Sequence, residues 1–184
     1  MIPEKPSIDL IVFAESADVR AMLERLPEVQ RMLFSTGLPR NFLGPLYSAA
    51  DRLEIIDVSP LGRLIRFGSS SHFSDGLFIH PSTGEIIDVA RGEVRSFVNS
   101  SLEQFGQTVT AVVERFPFYS RGSDFDVNDE EVAAAVRDLS AIIGRIDLPA
   151  MVKDRYWSTF VDDVAIGDYA TEDVGGRGSS SSVG

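Results

Sequence analysis

The stretch FVNSSLEQF, residues 97–105, marks the point where the chain changes from strand-like to helix-like sequence. Before it, short apolar runs are separated by Gly, Pro and Ser, which is typical of strands in a meander. After it, apolar residues recur at helical spacing. Ser100 and Glu103 have the spacing of a capping box, in which a hydroxyl and a carboxylate each bind an unpaired backbone N–H. We therefore predict that a helix begins here.

Three helices are predicted from this point onward. The first ends before Pro117, the second is capped by Asn128 or Asp129, and the third follows Pro149. Their apolar residues fall on one face each, which indicates helices that pack against a core. The predicted inward-facing residues are, in chain order, Leu102, Phe105, Val109, Val112 and Phe116; Val132, Val136, Leu139 and Ile143; and Met151, Trp157, Phe160, Val161 and Val164.

The chain before residue 97 predicts one helical region and several strands. Residues 18–36 have helical spacing, with Pro27 predicting either a break or two short helices. Residues 76–89 predict a hairpin, because two apolar runs flank a Pro-Ser-Thr-Gly turn ending at Gly84. Further strands are expected at 8–13, 42–46, 53–58 and 64–67. The order of helix, strands and helices predicts an α+β layer arrangement.

Length and composition limit the class of protein. A chain of 184 residues, 43% of them hydrophobic, predicts a single domain, which we place at residues 1–169. The Gly- and Ser-rich segment 170–184 has little to bury and is expected to be a disordered tail. The chain has no cysteine, which excludes disulfides, thiolate metal sites and a cysteine nucleophile. We expect neither a signal peptide nor a membrane span, and hence a soluble, cytoplasmic protein.

The charge is strongly acidic and unevenly distributed. The formal net charge is −11, which argues against direct binding of nucleic acid because phosphate contacts need clustered Lys and Arg. Residues 122–184 alone carry 13 acidic and 5 basic side chains. Such an excess is either a solvated face or a docking surface for a basic protein, and the sequence leaves both interpretations open.

Catalytic and metal-binding patterns are incomplete. Residues 68–72 come near a nucleophile elbow, but His72 stands where a glycine is needed. Residues 124–135 begin like a calcium loop, but Asp129 and Ala135 replace the required Gly and Glu. His80, the other histidine, precedes a hairpin turn, where an exposed structural role is common. We therefore predict no enzymatic activity, no metal and no cofactor.

The order of four motifs resembles a known group of proteins. These motifs are Gly-Leu-Pro at 37–39, a strand ending at Gly68, the hairpin with Gly84, and the Asn-Ser-Ser-Leu helix start at 99–102. Together with an aromatic segment at 156–161, they resemble the SUKH superfamily, and most closely its fourth class of bacterial immunity proteins. The resemblance covers roughly residues 18–166. It implies a mixed, mainly antiparallel sheet packed by N-terminal and C-terminal helices, without enzymatic activity.

The resemblance also implies a function. Such proteins bind a cognate polymorphic toxin, often a nuclease or deaminase, and block it. We therefore expect an immunity protein that occludes the active site of a basic toxin as a monomer in a one-to-one complex. The acidic residues that we predict to contact the toxin are Asp124, Asp126, Asp129, Glu130, Glu131, Asp162 and Asp163.

Two other functions remain open on the sequence alone. One is a regulatory or scaffold interaction domain of the same fold with no toxin partner. The other is a small hydrolase that uses His72 or His80. An immunity gene is expected directly downstream of a large toxin gene, so the genomic position separates the first alternative from an immunity protein.

Overall fold

The computed structural model describes residues 8–43, 46–70, 74–119, 128–167 and 169. It has an α+β fold, in which an antiparallel sheet lies between an N-terminal and a C-terminal set of helices along the chain. This confirms the predicted fold class. Residues 170–184 of the predicted tail lie outside the described residues.

Most of the described strands form one antiparallel meander. A short β1 pairs with β2, and the main sheet has the order β3-β4-β5-β6-β7-β8. The predicted hairpin is confirmed, since Ile79 pairs with Ile86 and Gly84 has a φ of +79° in the connecting turn. The strands are β1 (Leu10–Ile11), β2 (Leu38–Pro39), β3 (Asn41–Phe42), β4 (Tyr47–Val58), β5 (Gly62–Ser69), β6 (Gly76–Ile79), β7 (Ile86–Ala90) and β8 (Glu93–Asn99).

The predicted helices are present, with three adjustments to their ends. The helix predicted to continue to Pro117 ends at Val113, so Phe116 lies outside it. The region 18–36 contains two short helices and a π-helical segment, Met32–Thr36, and Pro27 is the first residue of the second helix. After Pro149 the chain first forms a 3₁₀ helix, Leu148–Met151, and only then the last α-helix. The α-helices are α1 (Ala17–Met22), α2 (Pro27–Arg31), α3 (Leu102–Val113), α4 (Asp129–Ile146) and α5 (Tyr156–Ala165).

The main core lies between one face of the sheet and the helices. Its centre is aromatic: the Phe105 ring of α3 meets the rings of Tyr47 and Phe67 edge-on, with centroids 5.1 and 5.4 Å away. A smaller cluster on the opposite side of the sheet is formed by Val58, Leu64, Phe78, Ile87 and Val89. Both faces of the central strands are therefore apolar.

Asn99, in the segment 97–105 where the strands give way to helices, is a fully buried hydrogen-bond junction. Its Nδ2 donates to Oδ2 of Asp147 at 3.0 Å, and its Oδ1 accepts from Nε1 of Trp157 at 2.8 Å. The carboxylate of Asp147 also accepts from the backbone N–H and the hydroxyl of Ser100, at 2.7 and 2.8 Å. One amide thus joins the end of β8, the end of α4 and the start of α5.

The predicted capping box is wrong by one residue. Ser101, not Ser100, is the N-cap of α3, and its Oγ accepts from the backbone N–H of Gln104 at 3.2 Å. The Ser100 hydroxyl donates to Asp147 instead, so Ser100 does not have the cap role that the sequence suggested. Glu103 is exposed in the first turn of α3, where the helix dipole favours its charge.

Gly68 is required by close packing. A Cβ at this position would lie 2.6 Å from the Tyr47 ring and 2.9 Å from the carbonyl oxygen of Ser48. The backbone of β5 therefore approaches β4 and the aromatic core more closely than any side chain allows. Gly106, in α3, has room, since its nearest neighbour would be Met32 Cε at 3.6 Å.

We predict that Asn99→Ala lowers the free energy of unfolding by about 3 kcal/mol, because the buried Asp147 carboxylate loses one of its three hydrogen bonds and the buried Trp157 indole N–H loses its acceptor. Asn41→Ala, at an exposed position in β3, is the matched control and should change stability by less than about 0.5 kcal/mol. Urea denaturation of the three proteins measures both values. Equal stability of the two variants would contradict the role given to Asn99.

A second prediction concerns the two glycines. Gly68→Ala should destabilise the protein by about 2 kcal/mol, because the added methyl group overlaps Tyr47 and backbone. Gly106→Ala should leave stability unchanged or raise it by up to about 1 kcal/mol, because alanine favours a helix and the site has space. Thermal and urea unfolding measure the difference, and a destabilised Gly106→Ala would show that the helix packs more tightly than described.

Candidate protein-interaction surface

The first turn of α4 presents three carboxylates to solvent. Asn128 caps the helix, and its Oδ1 accepts from the backbone N–H groups of Glu130 and Glu131 at 2.9 and 3.4 Å. Asp129, Glu130 and Glu131 are exposed, at the helix end where the dipole favours negative charge. The local structure is thus explained by capping, and the carboxylates remain accessible to a partner.

The two other predicted contact residues that the structure describes, Asp162 and Asp163, lie on α5 and point in different directions. Asp162 is exposed on α5, one turn before Ile166, whereas Asp163 is half-buried and lines a different cleft, beside the sheet. Adjacent residues of a helix point about 100° apart, which separates the two. Asp124 and Asp126 lie outside the described residues.

A shallow groove runs between the first half of α4 and the end of α5. Its volume is about 530 Å³. The residues that line it are mainly small or apolar, with one acidic and one basic side chain at the edge: Asp129, Val132, Ala133, Val136, Arg137, Ala165, Ile166 and Gly167. One of the predicted contact residues, Asp129, therefore borders an apolar depression.

The sequence did not identify Ile166 as part of an interaction surface. It assigned Val132 and Val136 to the inward face of α4, and they are only half-buried. Ile166 itself is 76% exposed at the end of α5. The available signal was an isoleucine two residues after Val164, where the buried stripe of α5 ends.

A second, smaller cleft of about 200 Å³ lies between the sheet and α5. At its base, Asp88 of β7 is 2% exposed; it accepts a hydrogen bond from Ser74 Oγ and lies 3.7 Å from the Arg95 guanidinium. Burial raises the pKa of the Asp88 carboxyl above its usual value of 3.8. The hydroxyl of Tyr156, in the same cleft, donates to the carbonyl of Leu46 at 2.7 Å, and burial raises its pKa.

His72 and His80 are the residues that a hydrolase would use, and the structure describes only His80 of the two. His80 Nδ1 accepts the backbone N–H of Ser82 at 3.4 Å, inside the hairpin turn. His72 lies outside the described residues. Within the parts of the chain that the structure describes, no cluster of three or more His, Asp or Glu side chains could hold a metal ion. In those same parts, no helix has the length and apolar character needed to cross a membrane.

The meander with its flanking helices and the exposed acidic helix start fit a protein-binding domain of the α+β class. The chain belongs to the SUKH-4 immunity protein family, whose model matches residues 12–163. No curated protein and no solved structure matched the chain. Membership in this family implies immunity to a toxin through binding of a cognate toxin, and it suggests a protein that is not an enzyme.

The raised pKa of Asp88 predicts a pH dependence that Asp88→Asn should remove. Between pH 3.8 and the raised pKa, the Asp88 carboxyl is mainly ionised in the unfolded chain and mainly protonated in the folded protein. The group therefore lowers the free energy of unfolding as pH rises through this range. The amide cannot ionise, so the stability of the variant relative to the natural protein should increase from pH 4 to pH 7.

Urea denaturation of both proteins at several pH values checks this. The natural protein is measured at each pH as the reference. The pH dependence that the two proteins share therefore cancels in the difference between their free energies of unfolding. A difference that is constant over the range, or that shrinks with rising pH, would contradict the assignment.

Proposed function

We propose that this chain neutralises its toxin by binding over the active site with the acidic face at the start of α4. The observation that supports this is the exposure of Asp129, Glu130 and Glu131 at the start of α4, where Asp129 also lines an apolar groove. Carboxylates that only completed a helix cap would need no apolar neighbour on the surface. The complex is proposed to be one-to-one and cytoplasmic.

The net charge of −11 indicates the chemistry of the partner. Opposite charges on two proteins raise the rate of association and disfavour partners of like charge. An enzyme that acts on nucleic acid binds phosphates in a basic groove, and a row of carboxylates can occupy such a groove in their place. We therefore propose a basic toxin domain that acts on nucleic acid, a nuclease or a nucleobase deaminase.

Co-expression tests the function. The toxin domain encoded by the adjacent gene is expressed in a bacterial host with and without this chain. We expect growth to be restored and the two proteins to elute together in gel filtration as a one-to-one complex. If cells die as fast as without the chain and no complex elutes, a toxin partner is ruled out in favour of a regulatory or scaffold role.

Charge reversal tests the acidic face. The double variant Glu130→Lys/Glu131→Lys should associate with the toxin domain about tenfold more slowly at low salt, and its rate should depend less on ionic strength. Stopped-flow mixing over a series of salt concentrations measures both effects. The expected loss of association rate comes from the changed charge at the start of α4. The fold stays intact, because both side chains are exposed.

The control is Asp57→Lys/Glu93→Lys, which changes the net charge equally at exposed positions of β4 and β8. It should slow association far less than the α4 variant. Equal slowing by both variants would mean that only overall charge matters, and no slowing by either would remove the start of α4 from the interface.

A further inference from the structure

The groove between α4 and α5 has an unusually exposed apolar wall. Ile166 is 76% exposed, and the half-buried side chains of Val132 and Val136 face it from α4. Covering apolar surface of this kind stabilises a complex, because the surface is removed from water. The groove therefore favours an apolar side chain from a partner.

The charge around the groove is mainly negative. Asp129 lines it, Glu130 follows on the same turn of α4, and Asp162 precedes Ile166 by one turn. Glu131 lies about 200° around α4 from Asp129 and faces away from the groove. The last turn of α5 contains no basic residue, so the negative end of its dipole is not offset there by a cation on the helix. Arg137 is the single cation among the lining residues.

A second strongly exposed apolar site, at Leu148, differs from the groove in the charge of its neighbours. Leu148 is 74% exposed and Val152 is 50% exposed at the opposite end of α4. That site is followed by Lys153, Asp154 and Arg155, where positive charges outnumber negative ones. Of these two sites, the groove near Ile166 is the one that combines an apolar wall with an acidic rim.

We propose that this groove anchors an amphipathic segment of the toxin domain, with one aliphatic or aromatic side chain seated against Ile166, Val132 and Val136 and lysine or arginine side chains on the acidic rim. The inference rests on the proposed function and adds the site and the chemistry of the contact. Ile166 lies beyond residues 12–163, so the anchor is not a feature that the family match supplies.

The test compares two single substitutions of equally exposed apolar residues. Ile166→Ser should weaken binding of the adjacent-gene toxin domain about tenfold, mainly through faster dissociation, because the apolar contact is lost. Leu148→Ser is the matched control and should change the affinity less than twofold. Surface plasmon resonance with immobilised toxin domain gives both rate constants. An unchanged affinity for Ile166→Ser would overturn the anchor while leaving the proposed function intact.

A model peptide tests the groove independently of the toxin. An 18-residue helix of Leu and Lys, with Leu along one face, should shift the amide resonances of residues 129–137 and 165–167 in ¹⁵N-labelled protein. The same peptide with Glu in place of Lys should not bind. Shifts confined to the Leu148 end, or equal binding of both peptides, would overturn the proposal. Absence of toxin binding by the natural chain, with these shifts present, would instead refute the proposed function.

A second copy of this chain is the other possible occupant of the groove. Light scattering of the natural chain and of Ile166→Ser, without toxin, distinguishes this case. We expect both to be monomers. A dimer that is lost on Ile166→Ser would assign the groove to self-association and overturn the proposal.

Discussion

The buried side chain of Asn99 holds together parts of the chain that are far apart in sequence. It connects β8 to the end of α4 through Asp147 and to the start of α5 through Trp157. A buried carboxylate and a buried indole N–H are both costly without partners, so each of these helices has one favourable position relative to the sheet. The antiparallel placement of α4 beside α5, and hence the groove between them, depends on this junction.

Local chemistry made much of the fold predictable. The hairpin at 76–89 follows from its turn residues, and the stripe of α3 follows from helical spacing. Strand β8 was not predicted, because Glu93, Val94 and Arg95 are exposed at the sheet edge and carry no burial pattern. The hydrogen bonds of Asn99 and Asp147 join residues 48 positions apart, and no short sequence pattern records such a pairing.

The interaction surface was predictable in its charge and not in its shape. Counting charges located the acidic residues, and the capping preference of Asn128 placed three of them in one exposed turn. The sequence grouped Asp162 with Asp163, but Asp163 lines the cleft beside the sheet and Asp162 is exposed on α5. It also missed Ile166, because exposure at the end of a helix depends on what packs nearby and not on the residue itself.

The uneven burial of α4 has a consequence for how such a protein can change over generations. Its two fully buried residues, Leu139 and Ile143, both lie in the second half of the helix, near the Asp147 junction. The first half contributes only half-buried or exposed side chains, so most substitutions there cost little folding free energy. A lineage can therefore alter this surface by successive point mutations and acquire specificity for a different partner while every intermediate still folds.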